Sequence, residues 1–173
     1  MALRPTRPAV ILAVLGLALI TLTYALHRQR PGRLPALRLH TLDGETLNLG
    51  PQPGTGATLV VFWATTCPPC VAEIPDLIGL YRALAPRGLR LLAISMRYDP
   101  PNRVVALRDR LHIPYPLVLD LDGRLAQAFG GVQLVPTLFL ADRRGRVLLR
   151  RTGRLDPLRM RRRIDRLLMQ REG

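Results

Sequence analysis

Apolar residues recur along the chain with two different periods, which predict a β-hairpin and strands alternating with helices. Leu37 to Leu49 alternates apolar and polar side chains around Asp43-Gly44, a dipeptide favoured in hairpin turns. Thr58 to Trp63 and Leu89 to Ser95 are short, continuous apolar runs, as in strands buried on both faces. The first half of the chain therefore predicts a hairpin followed by two central strands.

Helical spacing of apolar residues predicts three longer helices. The first runs from Pro68 to Ala85, with a kink expected at Pro75. We expect Asn102 to cap the second, which ends near Leu111, and the third to run from Asp156 to Gln170. The outer face of the third helix carries arginines that we expect to be solvated: Arg161, Arg162, Arg163 and Arg166.

Three further short strands complete the predicted sheet. They are Pro116 to Leu119, Pro136 to Leu140 and Val147 to Arg151, and a turn at Asp122-Gly123 precedes a short helix that ends near Phe129. Strands alternating with helices and ending in a hairpin and a helix predict an α/β fold, with helices flanking a central mixed sheet.

The N-terminus predicts a membrane segment. Ala9 to Leu26 is a nearly unbroken apolar run of about 18 residues, or about 27 Å of helix, close to one hydrocarbon core. We interpret residues 1–27 as a signal anchor, 28–35 as a linker and 36–173 as the folded domain. A signal peptide cleaved after Ala25, giving a secreted form, is the alternative, and arginines at both ends leave the orientation open.

The formal charge of +14 changes this picture little. All 26 basic residues are arginine, but they are not interleaved with aromatic residues, and no nucleic-acid-binding motif accompanies them. We therefore expect no nucleic-acid partner, and favour attraction to the anionic headgroups of a nearby membrane.

The two cysteines supply the chemistry. A structural disulfide framework needs more cysteines at wider spacing, whereas Cys67 and Cys70 form one Cys-x-x-Cys motif between a buried strand and a helix. The start of a helix favours a thiolate at Cys67, which can attack a disulfide. Cys70, one turn further, can then resolve the mixed disulfide.

The string Phe62-Trp63-Ala64-Thr65-Thr66-Cys67-Pro68-Pro69-Cys70 resembles the active site of the thioredoxin superfamily, in its membrane-anchored TlpA/ResA-type branch. Pro75 and the segment Gly131 to Thr137 extend the resemblance. It implies a thioredoxin-like fold with an added N-terminal hairpin and a transmembrane helix, and an extracytoplasmic thiol–disulfide oxidoreductase. It also implies that Pro136 is a cis-proline facing the cysteines, and that Val135 pairs with an extended substrate segment.

The resemblance also assigns Glu73 to the active site, where it would exchange protons with Cys70; the alternative is a surface residue of the helix. Two departures stand out: Val61 replaces the buried aspartate of cytoplasmic thioredoxins, and Thr66 stands where the family commonly has tryptophan. The residues that we predict to contact substrate are Trp63, Thr66, Pro68, Pro69, Val135 and Pro136.

Pro68 and Pro69 bear on the direction of the reaction. Neither has an N–H, so two potential donors to a Cys67 thiolate are absent. Strong oxidants owe their character to a stabilised reduced form. The motif therefore predicts a reductant of protein disulfides.

Two other functions are weaker alternatives. The peroxidatic pattern Pro-x-x-x-Thr-x-x-Cys fails, because Ala64 stands three residues before Cys67. A copper chaperone could use the two thiolates, but His27, His40 and His112 lack ligand spacing to the cysteines and are predicted to be surface or linker residues.

The resemblance further implies partners and a location. The clients would be protein disulfides, such as those of apocytochrome c or of copper-site proteins, and a membrane thiol transporter of the DsbD/CcdA type would return the electrons. No organic cofactor and no metal are required beyond the Cys67–Cys70 disulfide. We expect the domain on the periplasmic side of the inner membrane.

Overall fold

The computed structural model describes residues 16, 17, 19 and 21, residues 32–51 and residues 56–169. The chain divides into two units, Met1–Pro31 and Gly32–Gly173. The predicted signal anchor lies almost wholly outside the described residues, and its described members Gly16, Leu17, Leu19 and Thr21 are helical. Among the described residues, no helix combines the length and the apolar character needed to cross a bilayer.

The predicted hairpin is confirmed at the start of the second unit. Strands β1 (Leu37–His40) and β2 (Thr46–Leu49) pair antiparallel, with Leu37 opposite Leu49. The turn between them needs a residue in the left-handed region, and Gly44 supplies it with φ of 80°. Alternate residues such as Leu39 face inward and are buried.

A five-stranded mixed sheet forms the centre of this unit, as predicted. Its order is β5-β4-β3-β6-β7. The first three strands along the chain run parallel, and the last two pair antiparallel to their neighbours. The strands are β3 (Ala57–Trp63), β4 (Leu89–Ser95), β5 (Leu117–Leu119), β6 (Thr137–Asp142) and β7 (Val147–Thr152).

Two apolar layers cover the faces of this sheet because alternate residues of β3 point to opposite sides. All seven residues of β3 are buried. Leu59, Val61 and Trp63 belong to a core cluster shared with three of the helices, whereas Val60 and Phe62 belong to a cluster shared with the β1–β2 hairpin. The helices are α1 (Pro68–Leu84), α2 (Pro101–Leu111), α3 (Arg124–Ala128) and α4 (Pro157–Met169), and a 3₁₀ turn (Ala85–Arg87) follows α1.

The predicted cap of α2 is wrong. Pro100, not Asn102, occupies the N-cap position, and no side chain caps the helix. Pro101 then starts the helix, because its fixed φ and missing N–H suit the first helical position. Asn102 lies inside the first turn and is exposed. The four arginines predicted on the outer face of α4 are exposed, as expected.

Candidate active site

The cysteine motif lies where strand β3 passes into helix α1. β3 ends at Trp63, a short turn follows, and Cys67 is the N-cap of α1 with extended backbone angles (φ −104°, ψ 99°). A disulfide joins Cys67 to Cys70, with Cα atoms 5.3 Å apart. The predicted strand–cysteine–helix arrangement is therefore confirmed, and two intervening residues suffice to bring the sulfurs together.

The two cysteines differ in access. Cys67 is half-buried, whereas Cys70 faces the core with 3% of its surface exposed. A protein partner can approach the sulfur of Cys67 but not that of Cys70. Cys67 is therefore placed to attack, and Cys70 to resolve.

One backbone donor in the described part of the chain reaches the Cys67 sulfur. The N–H of Cys70 points to Cys67 Sγ at 3.3 Å, and the N–H of Val71 is used by the Cys67 carbonyl at 3.1 Å. Pro68 and Pro69 occupy the intervening positions and have no N–H to offer. Both prolines are exposed beside the sulfur, where a partner can contact them.

The segment before β6 faces the cysteines. The carboxyl end of β3 and the start of β6 meet at one edge of the sheet, because Phe62 pairs with Thr137. The Val135–Pro136 peptide bond is cis, as predicted, and the Val135 carbonyl oxygen lies 3.7 Å from Cys67 Sγ. The Thr137 hydroxyl donates to the Leu134 carbonyl at 2.7 Å, which fixes this turn beside the sulfur.

Glu73 is buried beneath the motif with 1% of its surface exposed, so the alternative of a surface residue is wrong. Its Oε1 accepts a hydrogen bond from the N–H of Leu155, whereas Oε2 has no partner among the described residues. Burial raises the pKa of Glu73, and the Leu155 hydrogen bond and the charges of Arg154 and Arg151 offset only part of this effect. A buried carboxyl whose pKa is raised binds a proton more readily than an exposed one, and can accept a proton from a neighbouring thiol and return it.

Cys70 and Glu73 line the same small internal cavity, together with Trp63, Tyr115 and Pro136. Its free space is about 10 Å³, close to the roughly 10–15 Å³ that one water molecule needs. Burial raises the pKa of the Tyr115 phenol, so that group remains neutral. The resolving cysteine therefore shares a confined site with one carboxyl that can titrate.

Comparison with known proteins agrees with this arrangement. The model of the AhpC/TSA family matches residues 32–150, which is more than half of the chain. The chain belongs to the AhpC/TSA family.

Relatives within this thioredoxin-like family are named as redox proteins. The thiol-disulfide oxidoreductase ResA of Halalkalibacterium halodurans is 31% identical over 66% of this chain and 64% of its own length. The chain thus spans less than two thirds of the first curated relatives that it matches. The thiol:disulfide interchange protein HelX of Rhodobacter capsulatus is 32% identical over 78% of this chain and 74% of its own.

The fold matches a solved structure as well. A thiol:disulfide interchange protein of the thioredoxin family from Chlorobium tepidum TLS is 29% identical, with a TM-score of 0.71. The match covers 80% of this chain and 97% of that one. The thioredoxin-like α/β fold predicted from the sequence is therefore confirmed.

The two departures found in the sequence, at Val61 and Thr66, have structural consequences. Val61 is 1% exposed in the core, so no carboxyl occupies that strand position and Glu73 approaches from the helix instead. Thr66 is exposed and directly precedes Cys67, and its small side chain leaves the protein surface around Cys67 uncovered. Trp63 is 3% exposed, so its side chain contacts the core and the cavity beneath Cys70 rather than the surface that a partner reaches.

Sequence reasoning missed two residues at this site. Asp99 is 3% exposed, and its carboxylate accepts from both the N–H (2.7 Å) and the hydroxyl of Thr65, fixing the turn before Cys67. No local pattern links residues 34 positions apart. Leu134 is 68% exposed and directly precedes Val135, whose carbonyl oxygen faces the Cys67 sulfur. The sequence around Leu134 does not indicate that this leucine is exposed, because a single apolar residue before Val135-Pro136 forms no periodic pattern.

The histidines that the structure describes lie on the surface. His40 and His112 are exposed, as predicted, and His27 lies outside the described residues. Among residues 32–51 and 56–169, no group of three or more His, Cys, Asp or Glu side chains could hold a metal ion.

Proposed function

We propose that this chain is an extracytoplasmic thiol–disulfide oxidoreductase that reduces disulfides of protein clients. The observation that carries the proposal is the pair of bonded cysteines at the start of α1, one accessible and one buried against Glu73. The names of the relatives support the same chemistry. The proposed reaction needs no cofactor, because the Cys67–Cys70 disulfide itself carries two electrons.

The proposed cycle starts with both cysteines reduced. The Cys67 thiolate attacks one sulfur of the client disulfide; that S–S bond breaks, a Cys67–client disulfide forms, and the other client sulfur leaves as a thiolate that takes a proton from solvent. Cys70 then gives its proton to Glu73 and attacks Cys67 Sγ. The Cys67–Cys70 bond forms as the second client sulfur leaves, so two electrons pass to the client.

Client binding uses the segment before β6. An extended client segment can pair with the backbone of Val135, as peptides do when they add to the edge of a strand. The Val135 carbonyl lies 3.7 Å from Cys67 Sγ, so a segment bound there holds its disulfide beside the attacking atom. The exposed Leu134, Pro68 and Pro69 add apolar contacts around it.

Pro69→Ala tests the direction of the reaction. A side chain at the N-cap accepts from the N–H groups of the second and third helical residues, and Pro69 and Cys70 hold these positions. The substitution adds a second donor to the Cys67 thiolate. Because a hydrogen bond to a charged acceptor contributes about 1.5–3 kcal/mol, we expect the reduction potential to rise by roughly 30–60 mV. Equilibration with glutathione measures it.

Pro75→Ala is the matched control, because it replaces another exposed proline of α1 that lies beyond the first turn, whose N–H groups can face the Cys67 sulfur. It should leave the potential unchanged. We expect the unsubstituted protein to lie nearer to thioredoxin (about −270 mV) than to DsbA (about −120 mV). A reduction potential near that of DsbA would contradict a reductant. An unchanged potential in Pro69→Ala would contradict the proposal that the missing N–H of Pro69 keeps the potential low.

The location and the partners complete the proposal. Residues 1–27 would anchor the domain in the inner membrane, with residues 36–173 on the periplasmic side. A membrane thiol transporter of the DsbD/CcdA type would reduce the Cys67–Cys70 disulfide after each turnover. The clients would be apocytochrome c cysteines or cysteines of copper-site proteins.

Trapping clients with Cys70→Ser in the full chain tests the function. This variant keeps the attacking Cys67 but cannot resolve the mixed disulfide, so clients remain covalently attached. We expect reductant-sensitive adducts with extracytoplasmic proteins that carry paired cysteines, identified by mass spectrometry. The double variant Cys67→Ser/Cys70→Ser is the control and should trap nothing. Adducts with cytoplasmic proteins alone would contradict the location, and no adducts would contradict the activity.

A further inference from the structure

A groove opens beside Cys67, between the start of α1 and the side of α2. Its volume is about 320 Å³, at the lower end of the range for small-ligand sites, which suits one or two side chains. One wall comes from the turn before Cys67 and from α1, and the other comes from α2. The lining residues include Thr65, Thr66, Val71, Arg103, Leu107 and Arg110.

The groove adjoins the reacting sulfur. Thr66 directly precedes Cys67 and is exposed, and its short side chain does not cover the groove as the tryptophan common in the family would. Asp99, which directly precedes the Pro100 cap of α2, holds Thr65 by two hydrogen bonds, so the two walls are tied together. A client segment whose disulfide reaches Cys67 can therefore place a neighbouring side chain in the groove.

The charge of the groove is positive and uncompensated. Arg103 and Arg110 are exposed, and neither side chain forms an ion pair or a hydrogen bond within the described part of the chain. On the same helix, Arg108 by contrast pairs with both Asp43 and Asp109. Elsewhere in the described part of the chain, five more arginines have aspartate partners: Arg87, Arg124, Arg146, Arg159 and Arg161.

Asp99, which lies between the two walls, forms no ion pair with Arg103 or Arg110. Asp99 is 3% exposed, and both of its oxygens are used by Thr65. The floor is apolar, since Leu107 is buried and Val71 is half-buried. Two free guanidinium groups above an apolar floor match a carboxylate carried on a short aliphatic stem, such as a glutamate side chain.

We propose that this groove is a specificity site that binds an acidic side chain of the client close to its reactive cysteine. The proposal rests on the thiol–disulfide exchange proposed above and names the class of client: polypeptides with Glu or Asp within a few residues of the disulfide. Arg103 and Arg110 bind that carboxylate, and the bound segment holds the client disulfide at Cys67.

Two synthetic peptides test the proposal. Each carries one internal disulfide, and they differ only in having Glu or Gln at the positions that flank the cysteines. The reduced full chain is mixed with each peptide at low ionic strength, and the second-order rate constant for disulfide reduction in a single turnover is measured. Because each exposed ion pair contributes only a small stabilisation, we expect the Glu peptide to be reduced roughly 5-fold faster. In Arg103→Gln/Arg110→Gln this ratio should fall to about 1.

A second double variant separates the groove from the general positive charge. Arg143 and Arg144 are exposed in the turn between β6 and β7. Asp142 pairs with Ala57 at the start of β3, so this turn lies at the opposite end of the sheet from Cys67, about 20 Å along the strand. Arg143→Gln/Arg144→Gln removes the same charge, and should keep the preference for the Glu peptide.

The outcomes are distinct. Loss of the preference in the groove variant alone supports the site. Equal loss in both double variants would assign the preference to overall charge and would overturn the proposed site. Equal reduction of the two peptides by the unsubstituted protein would also overturn the proposed site. If neither peptide is reduced, the result contradicts the proposed oxidoreductase function, and with it the specificity site that depends on that function.

Discussion

Replacing Cys67 with serine is expected to abolish disulfide reduction completely. The attacking group must be a thiolate, and a serine hydroxyl with no base beside it stays protonated at neutral pH. Cys70 cannot substitute for it, because only 3% of its surface is exposed and the core covers its sulfur. The rate of reduction of a disulfide peptide by the pre-reduced variant, measured in a single turnover, should equal the rate in buffer alone.

Cys70→Ser is the matched control for this experiment, since it removes the other sulfur of the same pair. It should still attack at about the original rate, but should stop at a mixed disulfide that carries one peptide per chain. Both variants should retain the circular dichroism spectrum of the reduced protein. Full reduction by Cys67→Ser would contradict the assignment of the accessible sulfur as the nucleophile.

The sequence predicted the local elements of this fold well because their signals are local. The alternation around Asp43-Gly44, the apolar run of β3 and the 3–4 spacing of α1 each arise within one short segment. The Asn102 cap failed for a reason that is also local: two prolines before it define the start of α2 more strongly than a capping side chain does.

The active site was less accessible to prediction, because it is assembled from distant segments. The cysteines could be placed from their own neighbourhood, whereas burial of Glu73 depends on Leu155, 82 positions away. Asp99 and the Arg103–Arg110 groove likewise depend on how α2 packs beside the turn at Thr65. The cis geometry at Pro136 was expected only through the family resemblance, since any X–Pro bond in sequence is compatible with trans.

Glu73→Gln is expected to slow the second half of the reaction by a factor on the order of 10². Cys70 must lose its proton before it attacks the mixed disulfide, and Glu73 is the carboxyl that lines its cavity. The amide cannot accept that proton, although it keeps an oxygen for the Leu155 N–H. Rapid-quench measurements should show mixed disulfide forming normally and accumulating. Release of the client thiol at the original rate would show that Glu73 does not accept the proton of Cys70.

The same substitution has a second consequence, in the dependence of stability on pH. Burial raises the pKa of Glu73 in the folded protein above its ordinary value of 4.5, so the folded state holds this proton more tightly than the unfolded state does. The stability it contributes is present below pH 4.5 and is lost as pH rises through the raised pKa. Urea unfolding of the oxidised protein should therefore show Glu73→Gln gaining stability relative to the unsubstituted protein as the pH rises above 4.5. Glu45→Gln, which replaces an exposed carboxyl in the turn between β1 and β2, is the matched control and should show no such gain. An equal gain in Glu45→Gln, or none in Glu73→Gln, would mean that the carboxyl beneath Cys70 is not held in a desolvated state.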